Sequence, residues 1–149
     1  MFLYKLYFCK YFIKMKKDII FPRVENVYVA AVKEWNDDFQ DNSWYAYLIN
    51  DTDDALELAI VVSTAYGTMN GEQRKTGIFR HAYKEIAPKS FIKIELLENN
   101  VLQLNNEFRV SFFRNNQLLD KSFVFKSNSI NDKATSDIPV MHQRGILLK

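Results

Sequence analysis

The sequence predicts an all-β protein, an antiparallel two-sheet sandwich of about seven strands, and three observations carry that expectation. Short alternating apolar runs follow one another from Phe21 onward, divided by turn residues, and no long stretch keeps a helical period. Hydrophobic residues make up 48% of the 149 and aromatic residues 15%, enough for one core and too much for a disordered chain. The third observation is the stretch Glu107 to Phe125, where two alternating runs flank Asn115-Asn116. Asparagine tolerates the positive φ angles of a two-residue type I′ turn, so a hairpin closes there.

Closure at that turn sets Phe112 opposite Leu119, Val110 opposite Lys121 and Phe108 opposite Phe123. The face is apolar except at Lys121, whose stem can lie along it with the ammonium in water if its strand lies at the sheet rim. Phe113 falls on the other face with Arg109 and Ser111. A hairpin does not bury such a face alone, so the remaining strands must cover it.

Met1 to Lys14 reads MFLYKLYFCKYFIK and carries no small-residue cleavage site. The favoured reading is an extension outside the fold, upstream of a start at Met15. An interfacial anchor and an uncleaved signal-like segment are the alternatives. Residues 15–149 form the expected single domain. Val24 to Lys33 alternates Val27, Val29 and Ala31 with Tyr28, Ala30 and Val32, apolar on both faces as in a covered strand. After a polar loop from Asn36 to Ser43, Trp44 to Asn50 sets Trp44, Ala46 and Leu48 against Tyr45, Tyr47 and Ile49. Asn50 to Asp54 is a turn, because these side chains bond their own backbone.

Leu56 to Tyr66 places Leu56, Leu58, Ile60, Val62 and Thr64 on one face, with Glu57 and Ser63 on the other. Asn70-Gly71 is a turn signal. Phe79 to Ile86 fits a helical turn or a strand, and the strand is favoured, followed by a turn at Ala87-Pro88. Phe91 to Leu97 directs Ile92, Ile94 and Leu96 inward, with Lys93 and Glu95 outward. Asn99 to Asn106 connects to the hairpin. From about Lys126 a polar, loose tail is expected, in which Ile138-Pro139-Val140-Met141 and Gly145-Ile146-Leu147-Leu148 are apolar enough to dock.

Regularly spaced short strands with turns between them point to an immunoglobulin-like topology. Leu104 to Val110 enters its strand as the corner before strand F does in that fold, but Phe108 stands where a corner tyrosine would supply a hydroxyl bond. With Cys9 the single cysteine, no disulfide joins the sheets, so the fibronectin-type variant is expected. Val27-Tyr28-Val29-Ala30, Trp44 to Asn50, Ile86 to Ser90, Leu104 to Phe113 and Lys121 to Phe125 resemble a family of small uncharacterised bacterial proteins often labelled phenylalanyl-tRNA synthetase alpha subunit. The resemblance runs from Met15 to Leu148 on core and turn residues and implies a shared fold. The only glycines are Gly67, Gly71, Gly77 and Gly145, so the chain lacks the glycine-rich segment ending in arginine that a class II synthetase uses.

The formal charge of +2 includes Lys5, Lys10, Lys14, Lys16 and Lys17, which precede the first acid, so residues 18–149 carry −3. A body of that charge has no general attraction for nucleic acid or anionic membrane. No run reaches the roughly 18 apolar residues of a spanning helix, and a single thiol fits a reducing cytoplasm.

Four candidate sites stand out. His81 and Glu85 would share a face on a helix, but on a strand they lie roughly 13 Å apart. His142 has no acid nearer than Asp137. Glu34, Asp37, Asp38, Asp41, Asp51, Asp53, Asp54 and Glu57 form an acidic stretch without lysine or arginine, but it lacks the glycine and distal glutamate of a calcium loop. Arg74, Lys75, Arg80, Lys84, Lys89 and Lys93 form a basic stretch that suits phosphate, RNA or a solvated edge. No nucleophile with its base, metal cluster or phosphate loop emerges, so no catalytic, cofactor-binding or metal-ligating residue is assigned. The expected function is a non-enzymatic interaction or structural module with a protein partner. An accessory RNA-binding or synthetase-associated role is the alternative.

Overall fold

The computed structural model describes residues 23–149. Cys9, the extension and the Met15 start therefore lie outside the described residues. The strands are β1 (Val27–Asn36), β2 (Asp41–Asn50), β3 (Leu56–Met69), β4 (Glu72–Lys75), β5 (Phe79–Ile86), β6 (Ser90–Leu97), β7 (Asn105–Arg114), β8 (Gln117–Phe125), β9 (Ser136–Ile138) and β10 (Gln143–Leu148). Among the described residues a single 3-10 turn, Asp132–Ala134, interrupts them.

The strands build two antiparallel sheets. In the first the order is β6-β2-β1-β10-β9; in the second it is β4-β3-β7-β8, with β5 also paired to β3. The long β3 thus holds β5 along its first half and β4 along its second, and β7 along its other edge.

The β7-β8 hairpin has the register its turn dictates, with Phe112 opposite Leu119, Val110 opposite Lys121 and Phe108 opposite Phe123. Asn115 and Asn116 have φ of 51° and 60°, the signature of the primed turn. Because β8 is a sheet edge, Lys121 reaches out beside Phe123, its Nζ 5.1 Å from that ring. The other apolar members of the face are buried with Val27, Val29, Ala46, Leu48 and Val61 in the core between the sheets. Asn106 closes the corner before β7: its Nδ2 donates to the Val101 carbonyl at 2.8 Å and the Leu104 carbonyl at 3.0 Å. A buried amide thus holds the bend that leads into β7.

The first sheet has a second, smaller core on its outer side, where Ala30, Val32, Tyr47 and Ile49 meet Ile138 and Met141. This explains why β1 is apolar on both faces. The stretch after Phe125, expected as a loose tail, buries Ile130 and then adds β9 and β10 to the sheet. Gly145 lets β10 approach, since a Cβ there would collide with the Ala31 carbonyl.

Two β-bulges overturn the expected faces. Glu57 pairs with Phe113 but Ile60 with Ser111, so β3 carries one extra residue; Leu58 there has φ of 50°. Leu56 points inward, but beyond the bulge Ala59, Val61, Ser63 and Ala65 are the buried residues, leaving Ile60 46% and Leu58 61% exposed. The second bulge sits in β6: Ala46 pairs with Glu95 and Tyr47 with Lys93, so Ile94 is the extra residue. Ile94 remains buried, while Glu95, expected outward, stands opposite the core residue Ala46, and Leu96, expected inward, stands opposite Tyr45 on the outer face. The polar loop expected from Asn36 to Ser43 shrinks to the tip of the β1-β2 hairpin, because Asp41, Asn42 and Ser43 pair with β1.

Candidate functional site

The site is a cleft of about 360 Å³ at the open side of the sandwich, where the edge strands β5 and β6 face each other. Phe79, Ser63 and Phe108 form one cross-strand row on the inner side of the second sheet, and His81 lies in the next row beside Val61. Glu95 comes from the other sheet, turned inward by the bulge at Ile94. Its Oε1 accepts the Ser63 hydroxyl at 2.5 Å and sits 3.0 Å from His81 Nε2. Glu98, Asn100, Val101, Thr76 and Gly77 complete the rim.

The side chains of Glu95 and His81 are 23% and 28% exposed, and Ser63 is buried. Their order matters chemically. In a nucleophilic relay an imidazole stands between hydroxyl and acid, whereas here the carboxylate stands between hydroxyl and imidazole. The cluster therefore fixes a carboxylate rather than activating a serine. Oε1 is committed to two protein groups, and Oε2 has no protein hydrogen-bond partner among the described residues. Tyr83, packed nearby, has its phenol raised above the usual value by burial first and by the Glu95 charge second, so it stays protonated and donates to the Lys93 carbonyl.

The sequence candidates are redistributed by the fold. Phe79 to Ile86 is the favoured strand, β5, and His81 is partnered by Glu95, not by the exposed Glu85. His142 is exposed in the turn between β9 and β10. The acidic stretch is split by β2: Asp37, Asp38 and Asp41 are at the tip of the β1-β2 hairpin, and Asp51, Asp53 and Asp54 follow the far end of β2. Among the described residues no group of three potential metal-binding side chains forms.

Acidic and basic stretches partly neutralise each other across β2 and β6. Lys93 Nζ lies 3.5 Å from Glu34 and 4.1 Å from the Tyr45 ring centroid, and Lys89 Nζ is 3.0 Å from Asp51. Tyr47 donates its hydroxyl to Glu34, and burial first, then that bond, lifts its pKa far above the usual range. Lys75, Arg80 and Lys84 are exposed.

A second surface was missed by strand alternation. Leu58, Ile60, Phe113 and Leu118 are exposed on the second sheet, with Phe113 opposite both Glu57 and Leu118 across the strands. No family model, curated protein or solved structure matches the chain.

Proposed function

We propose that this protein is a non-enzymatic interaction module on an immunoglobulin-like, fibronectin-type sandwich. The order β1-β2-β6 in one sheet and β5-β3-β7-β8 in the other follows strands A-B-E and C′-C-F-G of that topology, with β9 and β10 added beside strand A. One observation carries the functional reading. Ile138 and Met141 cover the outer face of the first sheet, whereas among the described residues Leu58, Ile60, Phe113 and Leu118 stand exposed on the second. Exposed apolar residues on one outer face, where the chain closes the opposite outer face, support a surface with an external partner.

A second reading, accessory RNA binding, rests on Arg80 and Arg109, which flank Val62 across the same sheet, and on the resemblance to the synthetase-labelled family. Asp120, 4.0 Å from Arg109, and the half-buried Glu107 dilute that charge, so the protein reading is preferred.

The test is site-specific photo-crosslinking in the cells that produce the protein. A crosslinker at Phe113 is expected to give one discrete protein adduct, lost with Ile60→Lys, while the same group at exposed Gln143 gives none. Absence of an adduct at Phe113, or the same adducts at both positions, would contradict the proposal. Transfer RNA is expected to bind weakly and to dissociate in moderate salt. Tight, salt-resistant binding lost with Arg80→Ala and Arg109→Ala would favour the second reading instead.

A further inference from the structure

We infer that the cleft between β5 and β6 is a receptor for a guanidinium group on an alkyl arm, supplied as a partner's arginine side chain or as a small free guanidine. The inference rests on reading the protein as an interaction module, and it gives that module a second, chemically specific contact point.

Charge sets the class of ligand. Among the described residues, the titratable side chains lining the cleft are Glu95, Glu98 and His81, with no lysine or arginine. Two carboxylates within low-dielectric walls favour a cation. Apolar lining from Phe79, Leu96 and Val101 beside those carboxylates favours an organic cation with an apolar stem over a hydrated metal ion.

Geometry narrows it further. Ser63 and His81 hold Oε1 of Glu95 and so fix the plane of the carboxylate, while Oε2 is left to accept from outside. A planar fork of N–H donors suits an acceptor held in one orientation. The Glu95 side chain is 23% exposed, so a charged donor at Oε2 meets a carboxylate that is already partly withdrawn from water. Apolar surface is placed for the rest of the ligand. Phe79 is 57% exposed beside Ser63, so its ring is accessible to a guanidinium, and the half-buried Val101 lines the cleft where the alkyl arm would lie. An ammonium is more strongly hydrated and does not stack, so it fits less well. The volume of about 360 Å³ lies at the small end of ligand sites and accommodates one side chain.

An inward-pointing charge on an edge strand also blocks sheet-to-sheet pairing, a role that requires no ligand. The experiment separates the two. The full chain is titrated with N-acetyl-arginine amide while the backbone amides of Ser63, Ala65 and Gly77 and the His81 ring are followed by NMR. Saturable shifts confined to these groups are expected, and the uncharged citrulline analogue at equal concentration should produce none. Glu95→Gln keeps the shape and removes the charge, and should weaken binding roughly tenfold or more. Phe79→Ala, at an exposed position, should weaken it too and serves if Glu95→Gln does not fold. A Gly-Gly-Arg-Gly-Gly peptide that binds more tightly than the blocked amino acid points to a partner chain, and equal binding to a free guanidine; both support the site. No saturable shift, equal shifts from citrulline, or unchanged affinity in both variants would overturn it. Because the titration uses no partner protein, its failure leaves the crosslinking result on the outer face of the second sheet standing, and the reverse holds.

Discussion

Phe112→Ala is expected to cost roughly 3 to 5 kcal/mol, a large part of the stability of a domain this size. Phe112 is completely buried, sits on the central strand β7 and packs opposite Leu119. Truncation removes its transfer energy and leaves a cavity that strands on both sides prevent from collapsing. Its neighbour Phe113 points the other way and is 37% exposed, so Phe113→Ala should cost well under half as much. Denaturant midpoints for the two variants provide the check. Equal losses, or a greater loss at Phe113, would show that the hairpin presents its other face to the core.

Asn50→Ala is expected to be nearly as damaging, at roughly 3 kcal/mol or more, although it removes hardly any apolar surface. Asn50 is fully buried at the end of β2, and its Nδ2 donates to the carbonyls of Asp54 at 2.9 Å, Ile86 at 3.2 Å and Ala87 at 3.0 Å. Its Oδ1 accepts from the Thr52 amide at 3.0 Å and from the Thr52 hydroxyl at 2.6 Å. One amide thus ties the end of β2 to the turn after it and to the β5-β6 connection. Without it, the Ile86 carbonyl and the Thr52 amide each lose a buried partner, at about 1 to 3 kcal/mol apiece, while the part-buried carbonyls of Asp54 and Ala87 keep the hydroxyls of Thr52 and Ser90. Asn50→Leu restores bulk but not hydrogen bonds, so it should not rescue stability. Midpoints near wild type for both variants would show that the amide carries little of the fold.

The hairpin was legible in the sequence because the turn and the alternation are local and agree: Asn115-Asn116 selects the register that buries Phe108 and Phe112. The faces of β3 and β6 were not. A bulge depends on how many residues the paired strand places opposite, and nothing in Leu56 to Tyr66 or Phe91 to Leu97 records that β7 and β2 each supply one fewer. A single extra residue exchanges the two sides of a strand. It placed Ile60 outside, next to the outward Phe113 and Leu118 of the hairpin, and Glu95 inside, so the same kind of irregularity shaped both candidate surfaces.

The Glu95 cluster was illegible for a related reason. Its members lie 14 and 32 residues apart in the chain and meet only when β3, β5 and β6 are in place. The acidic and basic stretches looked like separate features until the pairing of β2 with β6 set Lys89 and Lys93 beside carboxylates. The docking apolar residues of the C-terminal segment were visible, but Gly145 and the brevity of β9 hid its strands.

The most direct test of the two bulges is a NOESY spectrum of the isotope-labelled protein in solution. The Glu95 side-chain protons should show cross-peaks to the His81 ring and to Ser63, and the Ile60 methyls should contact Ala82 and Ser111 on the outer surface. Cross-peaks from Glu95 to the Tyr45 ring, together with contacts from the Leu58 and Ile60 methyls to Phe112 and Leu119, would contradict the inverted faces, dissolve the Glu95 cluster and take Leu58 and Ile60 out of the outer patch.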